Sequence, residues 1–375
     1  MPGQKKADLP TSRPSLGKEE LAGVERVFKS RWLGMGAFVE KFENALKEYL
    51  GSKNVVAVNT GTSALHIALD SIGIEQGDDV ILPSLTFIAS VQAVLACGAR
   101  PIFCDVYPET LTISIEDVQR RLTRRTKAVM PVHFGGIPCA MHELLRLGRK
   151  KGIMVVEDAA HAIGSSYKGM KIGSFGDITC FSFDPIKTVT CGEGGAVATP
   201  YDDVAKAIRK KRILGIDREA WRRRGRRAWF YEVDTQGYRY HMSNISAAIG
   251  LVQLKKVNEF IRRKRQICKA YDSAFKKIDG IALIKRDYRE CAPFFYVIRV
   301  KKGRDSLITY LKQQGILAQV HYIPNHIQPL FKGARKRLPC TEMLFKEILT
   351  LPMFYEMTDS DVERVIKSVR QFFGG

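Results

Sequence analysis

The chain has 375 residues, of which 45% are apolar and 26% charged, a composition typical of a globular protein large enough for two subdomains. No apolar run approaches the roughly 20 residues that a membrane-spanning helix needs, and the polar N-terminus lacks the apolar core of a signal peptide. The eight cysteines form no C-x-x-C pair, and Cys97, Cys104 and Cys180 lie in apolar runs. These features favour a cytoplasmic protein with reduced thiols and no membrane association.

The formal net charge of +21 is unusual, and basic residues concentrate in two runs, Lys206–Arg227 and Ile261–Gln266. Such runs can neutralise the phosphates of a nucleic acid, attract a small anionic substrate, or simply cover solvated helix faces and a basic loop. No recognition helix, zinc finger or RNA-binding aromatic motif accompanies the charge. We therefore favour solvated surfaces and do not expect a nucleic-acid partner.

Seven short apolar runs between residues 50 and 200 predict strands: NVVAVN, DVILP, RPIFCDV, KAVMPV, IMVVED, DITCFSF and GGAVAT. The intervening stretches SALHIALDSIGI, SVQAVLACG and MHELLRLGRKKG have helical spacing, and the last two end in glycine. Strands that are apolar throughout and separated by helices are typical of a sheet buried on both faces. The sequence predicts an α/β fold with a mainly parallel seven-stranded sheet.

Beyond residue 200 the pattern changes to a basic, helix-rich segment and then a long helix that runs from an N-cap at Ser243 to about Phe275. Strand-like FFYVIRV and AQVHY then alternate with helix-like DSLITYLKQQG and DSDVERVIKSVRQFF. We expect a large domain over residues 1–250, including an N-terminal segment, and a smaller α/β domain over 251–375.

Ligands in open α/β sheets gather at the carboxyl ends of the strands, so the residues that follow each strand are candidates for a site. The first strand leads into TGTSAL, where Thr62 and Ser63 open a helix whose free N–H groups favour a phosphate. The second leads to Phe87, near the mouth of such a site. Each signal is weak alone, because Gly and Ser also cap helices and Phe is usually a core residue.

Two later strands end in, or are soon followed by, ionisable residues. IMVVED delivers Glu157 and Asp158, followed closely by His161, while DITCFSF delivers Ser182 and then the lone Lys187. A carboxylate at the end of a buried strand is costly unless a cation or strong hydrogen bonds accompany it.

Together these residues match the requirements of a pyridoxal phosphate site. The lysine amine forms a Schiff base with the cofactor aldehyde, and an aspartate keeps the pyridine nitrogen protonated so that the ring accepts electrons. The order of phosphate turn, aromatic residue, aspartate, serine and lysine at successive strand ends is far more specific than any one part.

The sequence resembles the DegT/DnrJ/EryC1/StrS aminotransferases, which are fold-type I pyridoxal phosphate enzymes acting on nucleotide-linked keto sugars. Nearly the whole chain carries the resemblance, in the blocks FVEKFENALKEYLG, NTGTSALHIAL, LPSLTFIASVQAVL, VVEDAAHAIGSSYKG, GSFGDITCFSFDPIK, GEGGAV, GYRYHMSNISAAIGLVQL, HYIPNHIQPLF and LPMF. It implies Lys187 as the Schiff-base lysine and Asp158 as the partner of the pyridinium nitrogen. It also implies five further cofactor contacts: Thr62, Ser63 and Ser182 at the phosphate, Phe87 stacked on the ring, and His161, where many members have Gln, near a cofactor oxygen.

The resemblance further implies a homodimer in which the GYRYHM block reaches the partner subunit's cofactor phosphate. Here Arg239 replaces the family's common Asn and His241 its common Arg, and we expect the role to survive because arginine binds phosphate well. The HFGGIP block from His133 departs from the commoner HLYGQP. Members with His in place of the lysine catalyse dehydration, so Lys187 favours transamination.

The expected activity is transfer of an amino group from glutamate to a nucleotide-linked keto-deoxy sugar, through an aldimine of pyridoxal phosphate on Lys187, with no metal. The GEGG and HYIP blocks favour a 4-keto-6-deoxyhexose. A 3-keto sugar or cyclitol aminotransferase of the same family is the alternative. A basic nucleic-acid-binding or regulatory protein on the same fold is the alternative from another class.

Overall fold

The computed structural model describes residues 8–216, 229–334 and 337–374, and a seven-stranded sheet lies at its centre. The strands, with the small hairpin β6–β7, are β1 (Asn54–Val58), β2 (Asp79–Pro83), β3 (Arg100–Cys104), β4 (Thr126–Val129), β5 (Met154–Asp158), β6 (Ser166–Tyr167), β7 (Met170–Lys171), β8 (Ile178–Ser182) and β9 (Gly195–Thr199). All seven predicted strands are present. Their order in the sheet is β1-β9-β8-β5-β4-β2-β3, and only β9 runs against its neighbours, so the sheet is mainly parallel as predicted.

Helices cover both faces of this sheet. In β1, Val55 and Ala57 enter one apolar cluster while Val56 and Val58 enter another, which explains why the strand is apolar throughout. The first cluster receives side chains from α2, α6 and α8, and the second from α3, α4 and α7. The helices are α1 (Lys18–Ser30), α2 (Ala37–Leu50), α3 (Gly61–Ser71), α4 (Ile88–Ala96), α5 (Ile115–Arg121), α6 (Met141–Lys151), α7 (Asp202–Lys211) and α8 (Asn244–Phe275).

A second, antiparallel sheet and three helices follow α8. The elements are β10 (Ile281–Leu283), β11 (Tyr296–Val300), α9 (Arg304–Gln313), α10 (Pro339–Glu347), β12 (Ile348–Leu351) and α11 (Asp359–Phe372). The sheet has the order β10-β11-β12, and α9 and α11 pack around a third apolar cluster.

Helix α8 connects the large seven-stranded sheet to the smaller antiparallel sheet. It begins at the predicted N-cap, where Ser243 Oγ accepts a hydrogen bond from the Ser246 N–H. Its first half packs into the core of the large sheet through Leu254, and its second half packs into the third cluster through Tyr271. The predicted domain boundary at residue 250 falls inside this continuous helix, and the division at that point stays a prediction.

The strand expected at AQVHY is not formed. Gln319 makes a single antiparallel bridge with Thr350, and the chain then leaves the sheet. The next two side chains have other partners: His321 Nδ1 lies 2.8 Å from Thr350 Oγ1, and the Tyr322 hydroxyl reaches across to the large sheet. The strand-like pattern of this segment therefore does not reflect one face of a sheet, because His321 and Tyr322 contact different parts of the molecule.

The described part of the basic segment contains one α-helix, and several of its charges are paired. Within its described residues, 200–216 and 229–242, the helix is α7; residues 217–228, with Arg222–Arg227, lie outside the described part. Lys210, Lys211 and Arg212 form ion pairs with Asp234, Asp70 and Glu43 respectively. Of the described helices, none is long and apolar enough to cross a membrane.

Candidate active site

The start of α3 lies at the carboxyl edge of the sheet, next to Ser182 of β8. Thr60 caps the helix, since its Oγ1 accepts a hydrogen bond from the Ser63 N–H at 3.0 Å. A Cβ on Gly61 would lie 2.6 Å from Ser182 Cβ, so only glycine allows β8 to approach the helix so closely. The predicted phosphate-binding residues Thr62, Ser63 and Ser182 are therefore brought together at a helix N-terminus, where N–H groups lack intrahelical acceptors.

The two carboxylates at the end of β5 point in different directions. Asp158 Oδ2 accepts a hydrogen bond from Ser90 Oγ at 2.6 Å, and its Oδ1 accepts one from the Ala160 N–H at 3.1 Å. Glu157 instead lies 2.9 Å from the buried His133 Nε2 and accepts from Thr179 Oγ1. Glu157 is thus a buried structural carboxylate, while Asp158 lies on the side of the candidate site.

Lys187 lies in the loop between β8 and β9. Asp184 shapes this loop: its carbonyl accepts from the Lys187 N–H and its carboxylate from the Ile186 N–H. Lys187 Nζ lies 4.5 Å from the centre of the Phe294 ring. Burial lowers the pKa of Lys187, although Asp184 and Asp158 act in the opposite direction. A lowered pKa leaves more of the amine neutral at a given pH, as a nucleophile requires.

Aromatic side chains line the space next to Lys187. His161 stacks on Phe294 with ring centres 4.3 Å apart, and its Nε2 lies 3.2 Å from the Tyr322 hydroxyl. Phe87 is half exposed and lies 5.6 Å from the Tyr322 ring. Burial, with Lys187 and His321 adding to it, lowers the pKa of His161 well below its usual value, so the ring is neutral. Its Nδ1 is buried and has no hydrogen-bond partner among the described residues.

The segment that carries Tyr322 is fixed to the large sheet a few residues later. The buried Asn325 side chain donates hydrogen bonds to the carbonyl oxygens of Ser84 and Thr86, at 3.0 and 2.8 Å. Ser84 Oγ also lies 2.7 Å from His326 Nδ1. The loop between β2 and α4, which carries Phe87, and the segment around Tyr322 therefore form one rigid wall.

Arg239 lies at the edge of this site, and its side chain is exposed. Its backbone runs beside the residue that precedes the α3 cap: Asn59 Nδ2 donates to the Arg239 carbonyl at 3.5 Å, and the Asn59 N–H donates to the Tyr240 carbonyl. No described residue forms an ion pair with its guanidinium. The arginine thus approaches the start of α3 through its backbone, while its side chain extends into solvent.

The sequence pattern predicted candidate residues just after strands but not the residues that contact these candidates. The residues it missed are Ser90 next to Asp158, Phe294 next to Lys187, Tyr322 between Phe87 and His161, and the buried Lys264. Ser90 lies inside a helix and Phe294 in an apolar run, so neither carried a local signal of function. Tyr322 lay in a recognised block, HYIPNHIQPLF, but was not singled out.

The sheet, the lysine loop and the half-buried aromatic wall are those of a pyridoxal phosphate-dependent enzyme. Residues 14–370 match the model of the DegT/DnrJ/EryC1/StrS aminotransferase family, and the chain belongs to that family.

Relatives agree over nearly the whole length. The chain is 39% identical to the spore coat polysaccharide biosynthesis protein SpsC of Bacillus subtilis, over 98% of this chain and 97% of SpsC. It is similar to the crystal structure of the aminotransferase TlmJ from Streptoalloteichus hindustanus, at 35% identity and a TM-score of 0.91, covering 97% of this chain and 98% of TlmJ. The PLP form of the sugar aminotransferase Spr1654 from Streptococcus pneumoniae, described as putative, has a TM-score of 0.91 at 27% identity, with 98% and 99% of the two chains covered.

The protein is therefore a pyridoxal phosphate-dependent sugar aminotransferase, and the fold class, the enzyme class and the cofactor predicted from the sequence are confirmed. The described residues fit this cofactor. The close approach of Gly61 to Ser182 leaves a helix N-terminus open to a phosphate, and the unpaired, buried Nδ1 of His161 offers a polar contact within an aromatic wall.

Proposed function

We propose that the enzyme transfers an amino group from glutamate to a nucleotide-linked keto-deoxy sugar, with a 4-keto-6-deoxyhexose as the favoured acceptor. The observation that carries the proposal is the position of Lys187, a partly desolvated amine next to an aromatic wall and close to Asp158. All eight cysteines are free thiols, which supports the cytoplasm as the proposed location.

The proposed roles of the site residues follow from their positions. Thr62, Ser63 and Ser182 bind the cofactor phosphate at the start of α3, and Phe87 and His161 contact the ring and its oxygen substituent. Asp158 holds the proton of the pyridine nitrogen, and the hydrogen bond from Ser90 at 2.6 Å fixes its orientation.

The bound cofactor supplies an aldehyde for the incoming amine and a ring that accepts electrons. With the cofactor in place, Lys187 would hold it through Nζ. A neutral Nζ would also remove the proton from the carbon of glutamate that carries the amino group, and it would return a proton in the reverse half-reaction on the keto sugar. The lowered pKa of Lys187 supports this use as a base at neutral pH.

The substrate assignment is tested with glutamate and four acceptors: a nucleoside-diphosphate 4-keto-6-deoxyhexose, the matching 3-keto sugar, and both sugars without the nucleotide. We expect turnover of the nucleotide-linked 4-keto sugar and none with a Lys187→Ala control. Preferred amination of the 3-keto sugar would assign the enzyme to the alternative, and equal turnover of the free sugars would remove the nucleotide from the proposal.

A homodimer is the proposed assembly. The outer face of α1 and the loop after it expose Leu21, Phe28, Trp32 and Leu33, with exposed fractions from 44% to 71%. Several large apolar side chains exposed on one segment are typical of an interface rather than of a monomer's surface. We propose that Arg239 acts across that interface, at the phosphate of the partner subunit, where a bidentate contact is worth about 1.5–3 kcal/mol.

Mixed dimers distinguish action in trans from action in cis. One chain carries Arg239→Ala and keeps Lys187, while the other carries Lys187→Ala and keeps Arg239. If Arg239 acts in trans, the site built on the intact Lys187 receives an intact arginine and binds cofactor as tightly as the wild type. If it acts in cis, that site binds as weakly as the Arg239→Ala homodimer, and the proposed role across the interface is wrong.

A further inference from the structure

Lys264, on α8, is a buried lysine in the basic run Ile261–Gln266, and its surroundings differ from those of a surface charge. Only 6% of it is exposed, and its Nζ donates a hydrogen bond to Thr188 Oγ1 at 3.1 Å. Among the described residues, no carboxylate forms an ion pair with it. A buried ammonium group without a carboxylate is costly, and an apolar residue in its place is often neutral or stabilising. Fold stability therefore does not explain Lys264.

Lys264 shares its surroundings with Lys187. Thr188, which accepts its hydrogen bond, directly follows Lys187 in the chain. The Nζ atoms of Lys187 and Lys264 lie 4.5 and 5.8 Å from the centre of the same Phe294 ring. Between groups held in an aromatic, largely dry space, charge interactions are much stronger than between groups in water.

We propose that Lys264 is a positioning residue that acts through Lys187. Its positive charge disfavours protonation of the Lys187 nitrogen, so at neutral pH that nitrogen stays unprotonated and can act as a nucleophile and as a proton acceptor. Lys264 need not touch either substrate for this effect. The inference rests on the proposed role of Lys187 as the cofactor-bearing lysine. A neighbouring cation is one of the general ways in which proteins activate a lysine.

The charged groups around Lys187 define what Lys264 would oppose. Asp158 and Asp184 raise the pKa of Lys187, while burial lowers it. Burial and the charge of Lys187 lower the pKa of Lys264 to about 8, with Cys268 acting in the opposite direction, so Lys264 is mostly charged at pH 7. Three other titratable groups of the described residues lie in this space, and all are neutral at that pH: His161, His321 and Tyr322. Lys264 therefore provides a cation that opposes the two carboxylates.

The test is a pH titration of the visible absorbance of the resting, cofactor-loaded enzyme, with no substrate added. This absorbance reports protonation of the Lys187 nitrogen. Lys264→Met and Lys264→Gln should raise its pKa by about one unit or more, whereas Lys264→Arg should keep the wild-type value. Lys255→Met removes an exposed lysine from the same helix and serves as the matched control, with no shift expected.

Thermal unfolding confirms that each variant is folded, and Lys264→Gln, which keeps a polar group near Thr188, provides a second neutral variant if Lys264→Met fails to fold. A wild-type titration curve in a folded neutral variant overturns the proposal, as does an equal shift in Lys255→Met. A wild-type enzyme without any lysine-dependent absorbance contradicts the assignment of Lys187 itself. An incorrect choice of sugar substrate would leave this titration unchanged.

Discussion

Gly61→Ala provides a steric test of the proposed phosphate site. The added Cβ would lie 2.6 Å from Ser182 Cβ and 2.8 Å from its Oγ, whereas ordinary contact begins at 3.4 Å. Ser182 belongs to β8, which is held between β5 and β9, so the sheet cannot yield easily. The start of α3 must therefore move away from β8 by a large part of an ångström.

The expected magnitude follows from two opposing effects. Replacing glycine by alanine within a helix normally stabilises a protein by about 0.5–1 kcal/mol, whereas overpacking of this kind costs about 1–3 kcal/mol. We expect a net loss of stability of about 0.5–2 kcal/mol. Because the same movement displaces the N–H groups proposed to bind the phosphate, we also expect cofactor affinity to fall by roughly tenfold, which corresponds to about 1.4 kcal/mol.

Cofactor affinity is measured by absorbance titration of the apoenzyme, and a double-mutant cycle with Ser182→Gly isolates the steric effect. Ser182→Gly alone should weaken binding because the hydroxyl is lost. In the Gly61→Ala background it also removes the two closest contacts of the new Cβ, so its cost should be smaller or reversed. Wild-type affinity in Gly61→Ala, or strictly additive effects in the double mutant, would refute this account of the site. Gly17→Ala serves as the control: Gly17 is the N-cap of α1, away from the candidate site, and its replacement should leave cofactor affinity unchanged.

Three further predictions concern the chemistry and the pH dependence. Lys187→Ala should abolish amino transfer and the lysine-dependent absorbance while circular dichroism stays native; near-normal turnover would show that another residue holds the cofactor. Asp158→Asn should retain the cofactor but lose rate by orders of magnitude in steady-state assays, because an amide cannot hold the pyridine proton; unchanged kinetics would contradict that role. Burial lowers the pKa of His321 to about 4 from a usual 6.5. Between these two pH values the unfolded state therefore binds more protons than the folded state. The free energy of unfolding consequently falls as the pH drops from 6.5 towards 4. His321→Phe should flatten this slope in denaturant unfolding at pH 7, 6 and 5, and a slope equal to that of the wild type would show that His321 does not titrate as described.

The large sheet could be predicted because its sequence signal is local. Each strand is buried on both faces, so it is a continuous apolar run, and the residue after it is placed at the carboxyl edge by the parallel topology alone. Thr62, Phe87, Asp158 and Ser182 were chosen as candidate site residues on this basis. Lys187 stood out because it follows one of these strands in an otherwise apolar and glycine-rich stretch.

The partners of those residues could not be predicted because their contacts join distant parts of the chain. Ser90 is one of several small residues on α4 until the fold places it 2.6 Å from Asp158. Lys264 lies among arginines in Ile261–Gln266, and only its rotation around α8 turns it inward while Arg262 stays exposed. A basic run gives no indication of which of its members is buried, because that depends on the register of the helix against the core.

The two sequence blocks that favoured amination at C4, GEGG and HYIP, have different structural roles. In GEGG, a Cβ on Gly194 would lie 2.7 Å from Met242 Cε, and one on Gly195 would lie 2.3 Å from the Thr60 carbonyl oxygen. Packing alone therefore accounts for both glycines, and they carry no information about the position of the keto group. HYIP is different, since Tyr322 lies between Phe87 and His161 with its hydroxyl in the candidate site. Because the Tyr322 hydroxyl is the part of HYIP that reaches His161, the 3-keto and 4-keto acceptors are best compared in Tyr322→Phe as well as in the wild type.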